Sequence, residues 1–302
     1  MIDTNSTFTP HTFLGLGPEF SGPEKSSVYI LPVPYDGTVS YNTGTRKGPN
    51  AIIQASKHVE LFDYELNCDM SRIGIHTLNE LEPIMAGPDK MTDSIAKVAF
   101  EIIEKEKFLV TLGGEHSISI GLVKAHAERF NNLSVLQFDA HADLRDIYMG
   151  TPYSHASAMR RIGEMVPTVQ AGIRSFSQEE AEFFRNKNLP VISAEEILFS
   201  HDYLDLILNG LTENVYITFD LDVLDPSIMP STGTPEPGGL DWYTVLKILR
   251  KVSEKKQIVG FDIVELAPMP GNNAPDFLAA KLTYKMISYS MTMHYERLCL
   301  IR

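Results

Sequence analysis

The stretch Phe138-Asp139-Ala140-His141-Ala142-Asp143-Leu144-Arg145 carries two carboxylates and an imidazole at every second position. It follows Ser134-Val135-Leu136-Gln137, a mostly apolar run that predicts a buried strand. If the chain stays extended, alternation puts Asp139, His141 and Asp143 on one side. Such a group is costly to bury unless a cation holds it. A divalent metal would do so, and imidazole with carboxylate suits zinc, manganese or iron. The plainer reading of this stretch alone is a polar loop capping a strand.

Other strand exits carry the same residue types. Phe108–Leu112 reads as a strand running into Gly113-Gly114-Glu115-His116-Ser117, where two glycines permit a sharp turn and Ser117 can cap the next helix, 118–130. Val215–Phe219 leads into Asp220-Leu221-Asp222-Val223-Leu224-Asp225-Pro226, so Asp220 and Asp222 share a face at another exit. Ile258–Val264 ends at Glu265. His155 follows Ser154 at a helix start, with Ser154 or Ser157 as its cap, and would face the same mouth in a parallel fold.

These exits require a scaffold. Val28–Leu31 predicts the first strand, stopped by Pro32 and Pro34, and the Gly-rich loop 35–50 after it is long enough to be functional. A helix is predicted over 90–106 from the stripe Met91, Ile95, Val98 and Ile102. Further elements are a strand at 168–173, a helix at 178–186, a short strand at 189–192 and one helix over 194–208. Then come a helix from Asp241 to Ser253 with Trp242, Val245, Leu246 and Leu249 inward, a helix over 276–290, and a final strand at 298–301. Strands alternating with helices predict a parallel sheet with helices on both faces, and ligands in such folds bind at the carboxyl ends of the strands. Residues 1–27 read as an N-terminal arm on one domain of 302 residues.

Composition narrows the partners. The chain is 43% hydrophobic, so it can bury a large core, and its net charge of −13 argues against nucleic acid. No stretch has transmembrane length and no signal peptide is apparent, which predicts a cytoplasmic protein. Cys68 and Cys299 stand in no metal-ligand spacing and are expected as reduced core thiols. Four aspartates and two histidines at strand exits are too many for one tetrahedral zinc, but they suit two divalent ions about 3.5–4 Å apart. Such a pair makes hydroxide available at neutral pH for hydrolysis at carbon or phosphorus. A phosphoester would call for an Arg or Lys clamp; Glu265 suggests a cation such as a guanidinium.

The motifs Gly113–Ser117, Asp139–Asp143, Ser154-His155, Asp220–Pro226 and Glu265, in that order, resemble the ureohydrolases, the arginase/agmatinase family. The resemblance spans 28–268. It implies a three-layer α/β/α fold with a mainly parallel central sheet and two manganese ions, although nickel or cobalt would also suit such ligands. By matching motif, His116, Asp139, His141, Asp143, Asp220 and Asp222 hold the metals, with Asp143 as a bridging carboxylate. His155 is the proton shuttle and Glu265 holds the guanidinium. The Asp-x-Asn that arginases carry after the central motif is here Asp143-Leu144-Arg145, while the runs 143–148 and 154–161 look like agmatinases. The expected reaction is hydrolysis of agmatine to putrescine and urea. Sister substrates are aminopropylagmatine, guanidinobutyrate, guanidinopropionate and guanidine. Arg145 suits a cationic tail only if it pairs with Asp146 or turns away. A binuclear phosphoesterase and a non-catalytic scaffold relative are the competing classes. The family further implies a homo-oligomer, trimeric or hexameric.

Overall fold

The computed structural model describes residues 10–292. Its centre is a sheet of eight strands, β1 (Val28–Val33), β2 (Ile75–Thr77), β3 (Phe108–Gly113), β4 (Leu133–Phe138), β5 (Thr168–Ile173), β6 (Val191–Ser193), β7 (Asn214–Asp220) and β8 (Gln257–Val264). They lie in the order β2-β1-β3-β8-β7-β4-β5-β6. Every adjacent pair is parallel. A parallel sheet must be covered on both sides, and alternate strand residues do point into two separate cores. Val110, Leu112, Leu136, Phe138, Ile217 and Phe219 belong to one core, packed with α1 (Gly48–Ser56), α8 (Trp242–Lys255) and α9 (Ala274–Thr292). Leu109, Leu133, Val135 and Tyr216 belong to the other, packed with α2 (Pro88–Ile103), α3 (Ser119–Arg129) and α4 (Ala158–Ile162). The expected three-layer architecture is present.

Several elements depart from the expectations, each for a local reason. β1 continues through Pro32 to Val33. The Pro32 carbonyl accepts from Leu81 N, so its missing N–H faces the flank where β2 has already ended, and no ladder bond is lost. The single helix expected over 194–208 is two, α6 (Ala194–Phe199) and α7 (Tyr203–Gly210). Ser200 and Asp202 hydrogen-bond to each other across the break, the local competition that ends helices. Ser117, Ser154 and Ser157 cap nothing with their side chains; Ser117 bonds Glu115, and Ser154 and Ser157 bond each other. Trp242 is only partly buried, whereas Val245, Leu246 and Leu249 are inward. The helix expected from Asp241 is present as α8, and Asp241 caps it, its Oδ1 accepting from Tyr243 N and Thr244 N.

The described part of the expected arm, residues 10–27, is packed down. Phe13, Leu14 and Leu16 are buried, and Leu14 N donates to Ser56 Oγ at 2.7 Å. Cys68 is buried. Cys299 and the expected strand at 298–301 lie outside the described residues. Among those residues no helix is long and apolar enough to cross a membrane.

Candidate active site

The four adjacent central strands β3, β8, β7 and β4 supply the chemistry. The chain moves outward from β1 to β2, returns to β3, then jumps to β4 and fills the gap last with β7 and β8. The exits of the two halves therefore meet mid-sheet, where parallel α/β folds place their ligands. His116 follows β3, Asp139 follows β4, Asp220 ends β7 and Glu265 follows β8. Together with His141, Asp143, Asp222 and His155, His116, Asp220 and Glu265 line one cleft of about 280 Å³.

Two groups of possible ligand atoms form there: His116, Asp139 and Asp220, and Asp139, His141 and Asp222. Asp139, not Asp143, is the carboxylate common to both. Asp143 stands beside the first group, its Oδ2 3.1 Å from His116 Nδ1, while Asp139 and Asp220 oxygens lie 3.0 and 3.5 Å from the same nitrogen. His141 Nδ1 is 2.9 Å from Asp222 Oδ2 and 3.6 Å from Asp139 Oδ1. The set converges, but not by strand alternation: β4 stops at Phe138, and Asp143 turns back with φ +52°. Glu265 is also left-handed at φ +68°. Non-glycine residues in that region are uncommon and carry local backbone strain. Gly113, which ends β3, and Gly114 after it serve clearance, since a Cβ would lie 2.4 Å from Ile118 Cδ1 at the first and 2.0 Å from the Tyr35 carbonyl oxygen at the second.

The donor set fits a pair of cations. His116 Nδ1 is buried and has no hydrogen-bond partner, and three carboxylate oxygens lie 3.0–3.5 Å from it, an arrangement that a cation among them would satisfy. Its tautomer is fixed from behind. His116 Nε2 lies 2.9 Å from Thr218 Oγ1, and that hydroxyl donates to the buried Asp262 at 2.8 Å. The hydroxyl's proton being directed away, the neutral ring carries its hydrogen on Nε2 and leaves Nδ1 for a cation.

The electrostatics of the cluster favour positive charge. Burial opposes charge on both histidines, yet Asp139, Asp143 and Asp220 hold His116 well above its usual pKa, and Asp222 and Asp139 push His141 up to about 12. Burial, then Asp139, pushes Asp143 up to about 7. Burial and neighbouring carboxylates raise Asp220 and Asp222, while Asp139, although buried, is lowered by the two imidazoles. Carboxylates gathered this densely demand positive charge.

Glu265 is 8% exposed, and its Oε1 accepts from His116 N at 2.8 Å. Burial and Glu115 raise its pKa well above the usual range, so an arriving cation would stabilise its ionised form. A Cβ on residue 233 would come within 2.9 Å of Glu265 Oε2, so Gly233 keeps that oxygen open. His155 is lowered to about 4 by burial and by the positive charge of His116 and His141. Arg145 does not pair with Asp146, which binds Arg161 instead. Its guanidinium stacks over Tyr148, and Nε approaches Glu180 Oε2 at 3.9 Å.

Sequence reasoning missed the supporting groups. Thr38, Thr218, Glu180, Glu236 and Asp262 carry no motif of their own, and only the length of the 35–50 loop pointed toward one of them, Thr38. Arg174 ties the site together with hydrogen bonds to the carbonyls of Asp222, Val223, Glu236 and Pro237. Ser175 Oγ donates to Glu236 Oε1 at 3.0 Å.

Comparison with known proteins gives the family. The profile described as "Arginase family" matches residues 26–288. The chain is 39% identical over 273 residues to the N(1)-aminopropylagmatine ureohydrolase of Synechocystis sp., covering 87% of this chain and 89% of the relative. It is 36% identical over 268 residues to the agmatinase of Pyrococcus horikoshii, covering 86% and 91%. The crystal structure of agmatine ureohydrolase of Thermoplasma volcanium superposes with a TM-score of 0.85 at 30% identity, covering 96% of this chain and 98% of the other. The matched profile and the relatives place this chain in the arginase family.

Proposed function

We propose that this chain is a metal-dependent ureohydrolase that cleaves N1-aminopropylagmatine to urea and the free amine. The carrying observation is the convergence of two ligand groups sharing Asp139 beneath Glu265 and His155. His116, Asp139, Asp143 and Asp220, with His141 and Asp222, would hold two divalent ions, for which manganese is our choice. When bound, such a pair supplies hydroxide at neutral pH and polarises the group under attack.

The chain's own residues do the rest. Glu265 holds the guanidinium by charge-assisted hydrogen bonds and aligns its carbon with the metal-binding carboxylates. Oxygen from water joins that carbon, the bond to the substituted nitrogen breaks, and His155 delivers the proton that this nitrogen needs to leave as an amine. The walls of the cleft suit a cationic tail. Phe176, 46% exposed, offers a ring face, and Arg145 is held over Tyr148 with Glu180 3.9 Å away.

The longer substrate is favoured because the relatives named for it, at 37–40% identity, stand above those named agmatinase, at 30–36%. Agmatine is the second reading, supported by the named structural neighbour. Urea release by the manganese-loaded protein tests both, with aminopropylagmatine, agmatine, arginine and guanidinobutyrate in parallel. A higher kcat/KM for aminopropylagmatine than for agmatine is expected. Preference for agmatine would move the chain to the second reading, and urea from neither would reject both.

A further inference from the structure

His155 is gripped from behind. Thr38 Oγ1 lies 3.1 Å from His155 Nδ1 and accepts from His155 N at 3.0 Å. The same hydroxyl donates to Glu115 Oε1 at 2.7 Å, and Thr38 N donates to Glu115 Oε2 at 2.6 Å. Glu115 is fully buried and also accepts from Ser117 Oγ. A hydroxyl has one proton to give and two lone pairs. With its proton on Glu115, Thr38 Oγ1 can only accept from the imidazole, so Nδ1 must carry the hydrogen. The neutral ring then has a bare Nε2. That nitrogen lies 3.4 Å from Ser40 Oγ, at the cleft.

We propose that Thr38, anchored by Glu115, is a positioning residue that fixes His155 as the Nδ1–H tautomer and leaves Nε2 as the nitrogen that takes and gives the proton. The inference rests on the shuttle reading of His155 given above. It mirrors the support of His116, where Thr218 and Asp262 hold Nε2–H and expose Nδ1. A threonine hydroxyl and a buried carboxylate thus orient each of two imidazoles, with opposite nitrogens presented. The loop bearing Thr38 is thereby tied into the reaction, although Thr38 does not touch the reacting atoms.

The test uses Thr38→Val, which keeps the backbone N–H to Glu115 and removes only the hydroxyl, with Thr38→Ala as a smaller deletion and Thr38→Ser as the conservative variant. Turnover of the manganese-loaded enzyme is followed by urea release. The tautomer is read from imidazole 15N shifts of histidine-labelled, zinc-loaded protein, the His155 signals being identified by their loss in His155→Ala. Thr38→Val and Thr38→Ala should lower kcat on the order of 10²-fold, the scale of a misplaced reacting group, with KM nearly unchanged. Both should lose the Nδ1–H signature, and Thr38→Ser should restore rate and signature. A parental kcat and an intact Nδ1–H in Thr38→Val, with His155→Ala slow, would overturn the proposal while leaving the shuttle reading standing. A parental rate in His155→Ala would instead remove the shuttle reading, and the tautomer in Thr38→Val would then decide the relay on its own.

Discussion

Replacing Glu265 by Gln keeps the side chain's shape and removes its charge. The amide oxygen can still accept from His116 N, which Glu265 Oε1 does at 2.8 Å. That places the amide NH₂ at the Oε2 position, the one kept open by Gly233, where a guanidinium would meet a donor instead of an acceptor. The site is only 8% exposed, so water cannot repair the loss. Breaking a buried ion pair at one partner costs about 3–5 kcal/mol. At 1.36 kcal/mol per tenfold, kcat/KM should fall between about 10²- and 10⁴-fold. The assay is steady-state urea release at saturating manganese, with bound metal measured on the same samples. Both ions should remain, because Glu265 belongs to neither ligand group. Activity within about threefold of the parent, against that 10²-fold minimum, would show that Glu265 does not carry the guanidinium.

Asp139→Ala should empty both metal positions together, since its carboxylate is common to the two ligand groups, whereas Asp143→Ala should weaken chiefly the one beside His116; metal analysis after gel filtration distinguishes the two patterns. Thr218→Val should loosen metal binding by about 10–100-fold, because the link from His116 to Asp262 is cut; calorimetric titration with manganese reads it, and an unchanged affinity would discount the support. His126 gives a stability prediction away from the site. It is buried, its Nδ1 bonds the Leu122 carbonyl, and burial lowers it from 6.5 to about 4. Its contribution is complete above pH 6.5 and is lost as the pH falls through about 4, because the unfolded chain binds the proton first. That gap is worth about 3 kcal/mol, and His126→Leu should flatten this limb of the urea-unfolding free energy between pH 7 and 4.

The sequence by itself determined the layered architecture and the acidic and imidazole residues that gather at the strand exits. Apolar runs of strand length alternating with helical stripes leave few folds, and a carboxylate or imidazole at the end of a buried run has to be satisfied there. His116, Asp139, Asp220 and Glu265 were legible because each follows such a run. Only the tertiary structure decided how they are used. That Asp139 is the shared carboxylate depends on β7 lying beside β4, a pairing between residues about eighty positions apart. The partner of Arg145, Glu180, comes from the start of another helix. Thr38 and Glu115 meet across 77 positions, and Thr218 meets His116 across 102. Periodicity and spacing are properties of neighbours along the chain, whereas a hydroxyl's single proton is directed by whatever the fold packs against it. The nature of the groups was therefore written locally, and which of them meet was set by the tertiary packing that brought them together.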